Sequence, residues 1–262
     1  RSGRPEKRIL PLALKALKKL AHRGAKSYDG KSGDGAGILV DLPKRFFNSV
    51  LKKDFGKKVP KGEVLAVAMV FTTSREKKWI QEKFIALGKN AKLRLLAIRN
   101  VPTEKKALGE VALKIKPTVL QFIFSIKREK SKEIDTRLYL LRKTIEKDIL
   151  KNKKKTYICS FSSKTIVYKG LMASAQLDQF YLDLAHSGFT VKMALFHERF
   201  STNTGSTWNM AQPFQMVAHN GEINTIKGNR LWMESREGEI SSKFWGTDLD
   251  KLRPIINYSG SD

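Results

Sequence analysis

The chain has 262 residues, 41% of them hydrophobic, which is enough to bury the core of one large domain or two small ones. No stretch approaches the roughly 20 apolar residues of a membrane-spanning helix, so no membrane association is expected. The single cysteine excludes an internal disulfide framework and fits a reducing, cytoplasmic location.

The charge is strongly basic, with 51 Lys and Arg residues against 25 Asp and Glu residues. The excess lies in residues 1–170, because residues 171–262 contain 8 basic and 10 acidic residues. Lysines occur in runs such as "KREKSKE" (127–133) and "KNKKKT" (151–156), without the aromatic arrays or zinc-finger spacing of nucleic-acid-binding proteins. A solvated basic face is therefore expected, and nucleic-acid binding is the weaker alternative. Four scattered histidines and one cysteine predict no metal site.

In chain order, hydrophobic periodicity predicts elements of both kinds in the first 150 residues. Helices are predicted over 9–21, 74–87 and 134–150, with a weaker one over 104–115, and strands over 37–42, 64–72, 93–101 and 118–126. Ser74 is a possible helix cap and Gly88 a possible stop. A glycine-rich loop covers 22–37, but its Gly-Lys-Ser sequence lacks the glycine spacing of a phosphate-binding loop.

Strands dominate the later part of the sequence. They are predicted over 156–161, 165–170, 192–197 and 214–219, with a helix over 174–184 between the second and the third. No internal repeat and no linker rich in Pro, Gly or Ser divides the chain. Many strands with layered helices indicate one compact α+β domain.

The stretch "FHERFSTNT" (196–204) contains a candidate substrate-binding group. Arg199 offers a planar fork of donors suited to a carboxylate, and Thr202 and Asn203 supply short polar groups beside it. The alternative is a surface arginine paired with Glu198 or Glu222, followed by a polar turn.

The stretch "AHNGEINTIKGN" (218–229) contains an Asn-Gly pair that has two interpretations. Such a pair is typical of a tight hairpin turn, but the Asn220 amide and the Gly221 N–H can also stabilise a developing negative charge. His219 could be a base, although a lone histidine at a strand end is more often packed and hydrogen-bonded. Asp262, in "SGSD", could bind an ammonium group or form a turn.

Three sets of strings fall in the order and spacing of one family: "HRGA…GDGAGI", "SSKTIVYKGL" and "RFSTNT…W…AQPF…HNGEINT…GN". The chain resembles the class II, N-terminal-nucleophile glutamine amidotransferase domain of the glutamate synthase large subunit. The resemblance covers nearly all of residues 1–262, is strongest at 160–172 and 195–236, and is weakest at about 75–155. It implies a four-layer αββα sandwich, which we expect to be incomplete at both ends.

The resemblance also implies a reaction and partners. The family's domain hydrolyses L-glutamine to L-glutamate and ammonia, and the ammonia passes through a tunnel to aminate 2-oxoglutarate. The second step uses FMN, an iron–sulfur cluster and a reductant, held by synthase domains of the same polypeptide, a reductase subunit or ferredoxin. No cofactor is expected in this domain itself.

Site roles follow from the same resemblance, residue by residue. Arg199 would hold the substrate carboxylate with Thr202 beside it, and Asp262 would bind the substrate ammonium group. Asn220 and Gly221 would form the oxyanion hole. Supporting positions would be Arg23, Gly24 and Asn203.

The attacking group is where the chain departs from the family, whose nucleophile is an N-terminal cysteine. The only cysteine, Cys159, lies elsewhere and is expected to be a small buried apolar residue. We expect the nucleophile to precede Arg1 in a longer protein and the 262-residue chain alone to be inactive. The alternative is an inactive glutamine-binding or assembly remnant.

Overall fold

The structure, a computed structural model, describes residues 3–198, 205–215 and 225–256. These residues form an α+β fold, as the sequence predicts. The strands are β1 (Ala36–Asp41), β2 (Glu63–Thr72), β3 (Arg94–Asn100), β4 (Thr118–Lys127), β5 (Tyr157–Ser162), β6 (Thr165–Gly170) and β7 (Ala194–Glu198). The helices are α1 (Ile9–Lys19), α2 (Lys44–Phe55), α3 (Lys77–Asn90), α4 (Glu110–Lys114), α5 (Ser131–Lys151), α6 (Leu177–Phe180), α7 (Ile226–Arg236) and α8 (Leu249–Leu252).

The described strands form two antiparallel sheets. One has the order β6-β1-β7, and the other has the order β3-β4-β2-β5. In the three-stranded sheet, Ala36 at the start of β1 pairs with Gly170 on one side and Glu198 on the other. The start of β1 therefore lies between the ends of β6 and β7, at one end of this sheet.

The four-stranded sheet packs one face against α3 and α5. Alternate residues of β4 point to this face, because side chains of a strand alternate between the two sides of a sheet. Leu120, Phe122, Phe124 and Ile126 join Phe84 of α3 and residues of α5 in one buried apolar cluster. Phe84 stacks on Phe122 with ring centroids 4.1 Å apart.

The opposite face of that sheet belongs to a second cluster, which includes buried residues of β1, β6, α1 and α2. It also encloses a network of buried polar groups. Asp183 accepts hydrogen bonds from the Arg99 guanidinium at 2.8 and 3.0 Å and from the Tyr168 hydroxyl at 2.9 Å. Gln121 accepts from Arg99 at 2.8 Å and donates to the Tyr168 hydroxyl at 3.1 Å. Each buried polar group of the network thus has a partner.

Most predicted strands and the two long helices of the middle are confirmed, with bounds shifted by a few residues. The strand predicted over 214–219 lies mostly outside the described residues. Helix α3 begins later than predicted and continues through Gly88, so the predicted stop is wrong. A Cβ at Gly88 would lie 3.0 Å from the Phe124 ring, so this glycine permits close packing of the helix on the sheet.

Two further differences concern helices. The helix α2 was not predicted, although it buries Phe46, Phe47, Val50 and Leu51 along one side. The single helix predicted over 174–184 is instead two 3-10 turns, Ser174–Gln176 and Leu182–Ala185, flanking the four-residue α6. Ser74 does not cap α3; Thr73 Oγ1 accepts a bond from the Glu76 N–H instead.

Helices α3 and α5 end in the same way. The residue two positions after each helix, Lys92 or Lys153, has a positive φ of 57° or 48°. The next residue then donates its N–H back into the last turn, from Leu93 to the Gly88 carbonyl and from Lys154 to the Ile149 carbonyl, both at 2.9 Å. This is the hydrogen bond of a Schellman motif, in which glycine is the usual left-handed residue.

Among the described strands, β5 is at the edge of its sheet, and side chains bind to backbone groups along that edge. The Gln215 amide accepts from the Phe161 N–H at 2.9 Å and donates to the Phe161 carbonyl at 3.3 Å. Arg142 donates to the Ile158 carbonyl at 3.0 Å. These side chains occupy backbone groups that a neighbouring strand would otherwise pair.

Within the described ranges, no helix has the length and apolar composition needed to cross a bilayer.

Candidate functional site

A small polar cluster lies where the three-stranded sheet ends. Glu198, the last residue of β7, is 5% exposed. Its carboxyl group lies against Gly24 and Asp34 of the glycine-rich loop and beside Ser174. Burial raises the pKa of Glu198 to about 7, and the negative charge of nearby Asp34 acts in the same direction. The cluster joins the loop before β1 to the end of β7, directly before Arg199 in the sequence.

The glycine-rich loop is fixed by its own hydrogen bonds. Asp29 accepts from the backbone N–H groups of Lys31, Ser32 and Val111 and from the Ser32 hydroxyl. These bonds, led by that of the Ser32 hydroxyl, hold the pKa of Asp29 well below its usual range. The Ser32 hydroxyl in turn accepts from the Ala112 N–H. The loop is therefore tied to the start of α4, and Ser32 has a structural partner, consistent with a loop that is not built for phosphate.

The segment 205–215 packs against the start of β1 and the end of β6. A Cβ at Gly37 would clash with Gln212 and Pro213, and one at Gly170 would clash with the Trp208 ring. Trp208 is buried and donates its indole N–H to the Ala112 carbonyl at 3.1 Å. The structure thus brings together parts of all three sets of strings that carry the family resemblance.

Lys169 on β6 is fully buried and contacts the 205–215 segment. Its ammonium group donates to the Asn209 carbonyl at 2.8 Å and lies 4.4 Å from the Phe214 ring centroid and 4.8 Å from that of Tyr157. Burial lowers the pKa of Lys169 to about 7. Lys169 joins β6 to the 205–215 segment. In a chain with so many lysines, the sequence does not indicate that this one is buried.

Cys159 is a buried free thiol, 1% exposed. Burial raises the pKa of Cys159 to about 12, so the reactive thiolate is suppressed at neutral pH. The structure therefore agrees with the interpretation of Cys159 as a packing residue.

Of the predicted site residues, the structure describes Arg23 and Gly24. Arg23 is exposed at the end of a 3-10 turn, and Gly24 contacts the buried cluster. The other predicted site residues lie outside the described residues: Arg199, Thr202, Asn203, Asn220, Gly221 and Asp262. His219 lies outside them too. Glu198, Asp34 and Ser174 were not predicted as site residues, because only the fold brings these distant positions together.

Similarity to known proteins agrees with this arrangement. Residues 1–262 match the family of class-II glutamine amidotransferases. The chain is 42% identical to the NADH glutamate synthase of Saccharomyces cerevisiae, over 99% of this chain and 13% of that protein. It is 42% identical to the ferredoxin-dependent glutamate synthase of Pyropia yezoensis, over 97% of this chain and 17% of that protein. It is 38% identical to the large chain of the NADPH glutamate synthase of Azospirillum brasilense, over 99% of this chain and 17% of that protein.

The chain spans between 13% and 17% of the length of these relatives. A family match over its whole length favours an amidotransferase domain over an inactive remnant. The chain belongs to the class-II glutamine amidotransferases.

Proposed function

We propose that this domain hydrolyses the side-chain amide of L-glutamine to L-glutamate and ammonia within a glutamate synthase. The proposal is supported by the meeting, among the described residues, of parts of the three sets of family strings at one end of the three-stranded sheet. The names of the relatives include NADH, NADPH and ferredoxin forms, so they do not favour one electron donor. The four-layer αββα arrangement and a cytoplasmic location stay predictions.

The proposed substrate contacts follow the charges of glutamine, which carries a carboxylate and an ammonium group at one end. Arg199, with Thr202 beside it, would bind the carboxylate, and Asp262 would bind the ammonium group. A cation and an anion placed apart select an amino acid over other amides. Arg23, Gly24 and Asn203 would support this site.

The proposed chemistry is a thiol attack on the amide carbon, with ammonia as the leaving group and water releasing glutamate. Asn220 and Gly221 would donate hydrogen bonds to the carbonyl oxygen as it becomes negative. The attacking thiol is not that of Cys159, which is buried, so it would belong to another cysteine of the longer polypeptide.

FMN and an iron–sulfur cluster would serve the later amination of 2-oxoglutarate in the synthase domains. A cluster takes about four cysteine ligands, or two when histidines replace the others, and this chain has one buried cysteine. The residues present therefore do not fit the cluster, and its ligands would lie in other parts of the polypeptide.

The test is a glutaminase assay on the full-length polypeptide with Arg199→Ala. The KM for glutamine is expected to rise at least ~100-fold, because a charged bidentate contact contributes a few kcal/mol. Arg75→Ala, an exposed arginine after β2, is the matched control and should leave KM unchanged. A normal KM in Arg199→Ala would remove Arg199 from the site.

The oxyanion role is tested separately with Asn220→Ala. Loss of one donor of this kind lowers kcat by about 100- to 1,000-fold, with little change in KM. An unchanged kcat would contradict the oxyanion role and favour the interpretation of the Asn-Gly pair as a hairpin turn. Full-length protein that binds glutamine by calorimetry but releases no glutamate would instead support the inactive-remnant alternative.

A further inference from the structure

Gly24 is a glycine because of the space around it and not because of its backbone conformation. Its φ of −87° and ψ of 146° are accessible to any residue. A Cβ at this position would lie under 3.0 Å from Glu198 Oε1 and 3.3 Å from Asp34 Oδ1. The Glu198 carboxyl group therefore fills the space that a side chain at position 24 would need.

Glu198 is also the one residue of β7 whose side chain is buried. The other four residues of the strand are partly or largely exposed. The beginning of the strand is held from the opposite end of β1, where Asp41 accepts from the backbone N–H groups of Lys192 and Met193. At the far end of β7, where Glu198 pairs with Ala36 of β1, the buried Glu198 side chain adds a contact with the glycine-rich loop, next to Arg199 in the sequence.

A buried carboxyl group is an unusual anchor, because an apolar residue would be buried without a desolvation cost. An apolar side chain could not accept hydrogen bonds at a site shared with Asp34 and Ser174. The hydroxyl and the backbone N–H of Ser174 face the Glu198 carboxyl and act against the rise of its pKa, while Glu198 Oε2 is buried without a hydrogen-bond partner of its own among the described residues. The cluster is polar where packing alone would favour an apolar one, which indicates a role in the site.

We propose that Glu198 is a positioning residue for the glutamine site. Its carboxyl group locks the Arg23–Gly24 turn against the end of β7 and so fixes where the chain enters the segment that begins at Arg199. This inference rests on the proposed function, because it concerns the binding of glutamine. Glu198 itself takes no part in the chemistry.

The first test compares Glu198→Ala with Glu198→Gln in the full-length polypeptide. Glu198→Ala is expected to raise the KM for glutamine about tenfold, the factor that corresponds to one weakened charged contact. The change in kcat should be less than about threefold, because contacts made equally to substrate and transition state act on KM. Glu198→Gln keeps the shape and an acceptor oxygen and should restore KM to within about twofold of the wild type.

The control is Glu110→Gln, an exposed carboxylate on α4, which should leave both constants unchanged. A wild-type KM in Glu198→Ala would overturn the inference, and so would equal effects of the Ala and Gln substitutions. Full-length wild-type protein without glutaminase activity would overturn the proposed function and this inference together. An active wild type with an unaffected Glu198→Ala variant would overturn the inference alone.

The contact itself is tested by a double-mutant cycle with Gly24→Ala. In the wild-type background the new methyl group must displace the Glu198 carboxyl, so the thermal midpoint should fall and KM should rise. In the Glu198→Ala background the space is free, so Gly24→Ala should have a smaller effect on both quantities. Additive effects would show that Glu198 does not fill the space at Gly24 and would overturn the inference. Thermal midpoints keep the cycle informative if one variant is too inactive for kinetics.

Discussion

The two faces of the four-stranded sheet are stabilised in different ways. The face toward α3 and α5 is apolar, with Phe84, Phe122 and Phe124 packed together. The opposite face encloses the network of Arg99 and Asp183, and the buried Lys169 lies on the neighbouring sheet. An apolar face needs only the right volume, whereas each buried polar group needs a specific partner. The polar face, named for this network within an otherwise apolar cluster, therefore fixes geometry, and it is the one that joins the sheet carrying the candidate site.

The largest effect is expected from Asp183→Ala on the polar face. This substitution leaves the Arg99 guanidinium buried without its counter-charge, which costs about 3–5 kcal/mol of unfolding free energy. The measurement is urea unfolding of the 262-residue chain. Asp183→Asn keeps an acceptor for Arg99 and should cost less. If Asp183→Ala lowers the unfolding free energy by less than about 1 kcal/mol, the buried polar network contributes little to stability, and the comparison between the two faces is wrong.

A pH-dependent effect is expected from Lys169. Its pKa is lowered to about 7 in the folded state, so above pH 7 the unfolded chain binds a proton that the folded chain does not. The contribution of Lys169 to stability therefore rises with pH from about 7, by up to ~1.4 kcal/mol per pH unit for one proton. Lys169→Met should remove this slope.

The measurement compares urea unfolding of wild type and Lys169→Met at several pH values between 7 and 9. The difference between the two proteins isolates Lys169 from other titrating groups. Lys15→Met, on an exposed position of α1, should keep the wild-type slope. Parallel curves for wild type and Lys169→Met would show that Lys169 stays charged in the fold.

A smaller effect is expected on the apolar face. Phe84→Leu retains an apolar side chain but loses the stacked ring contact with Phe122, which costs roughly 1–2 kcal/mol. The KM for glutamine should not change in the full-length protein. Ile85→Val, exposed on the same helix, is the control and should stay within about 0.5 kcal/mol of wild type. A changed KM in Phe84→Leu would show that the apolar face also positions the site.

The smallest effect is expected at the helix ends on the apolar side. Lys153 has a φ of 48°, which glycine adopts without the cost borne by other residues. Lys153→Gly should therefore stabilise the fold by about 0.5–1 kcal/mol, measured by urea unfolding. Lys151→Gly, within α5, should have the opposite sign. Destabilisation by Lys153→Gly would show that the lysine side chain, and not the backbone, supports this turn.

The sequence predicts the apolar half of the fold well because its signal is local. The strands at 64–72 and 118–126 show hydrophobic runs, and the helix at 134–150 shows a clear period. The period of α2 was also present in Phe46, Phe47, Val50 and Leu51, followed by Gly56 in a left-handed conformation, and could have been recognised. The prediction that α3 stops at Gly88 is wrong because, in the sequence alone, a glycine that permits close packing cannot be told from one that ends a helix.

The candidate site is predicted only in part, for a different reason. The family strings identify Gly24 as a supporting residue but do not explain why this position is a glycine. The explanation is the contact with Glu198, which lies far along the chain and reaches Gly24 only through the pairing of β1 with β7. Likewise, the sequence treats Lys169 as one more basic residue of a lysine-rich chain. Such contacts depend on tertiary structure and leave no periodic signal.

The side chains along β5 also bear on how the protein behaves at high concentration. An open strand edge is a template on which another chain can add a strand, and this is a route to aggregation. Gln215 and Arg142 occupy the groups of Phe161 and Ile158 that would serve as that template. Among the described residues, these two polar side chains therefore hinder the addition of a strand at β5, and the net charge of +26 makes copies of the chain repel one another.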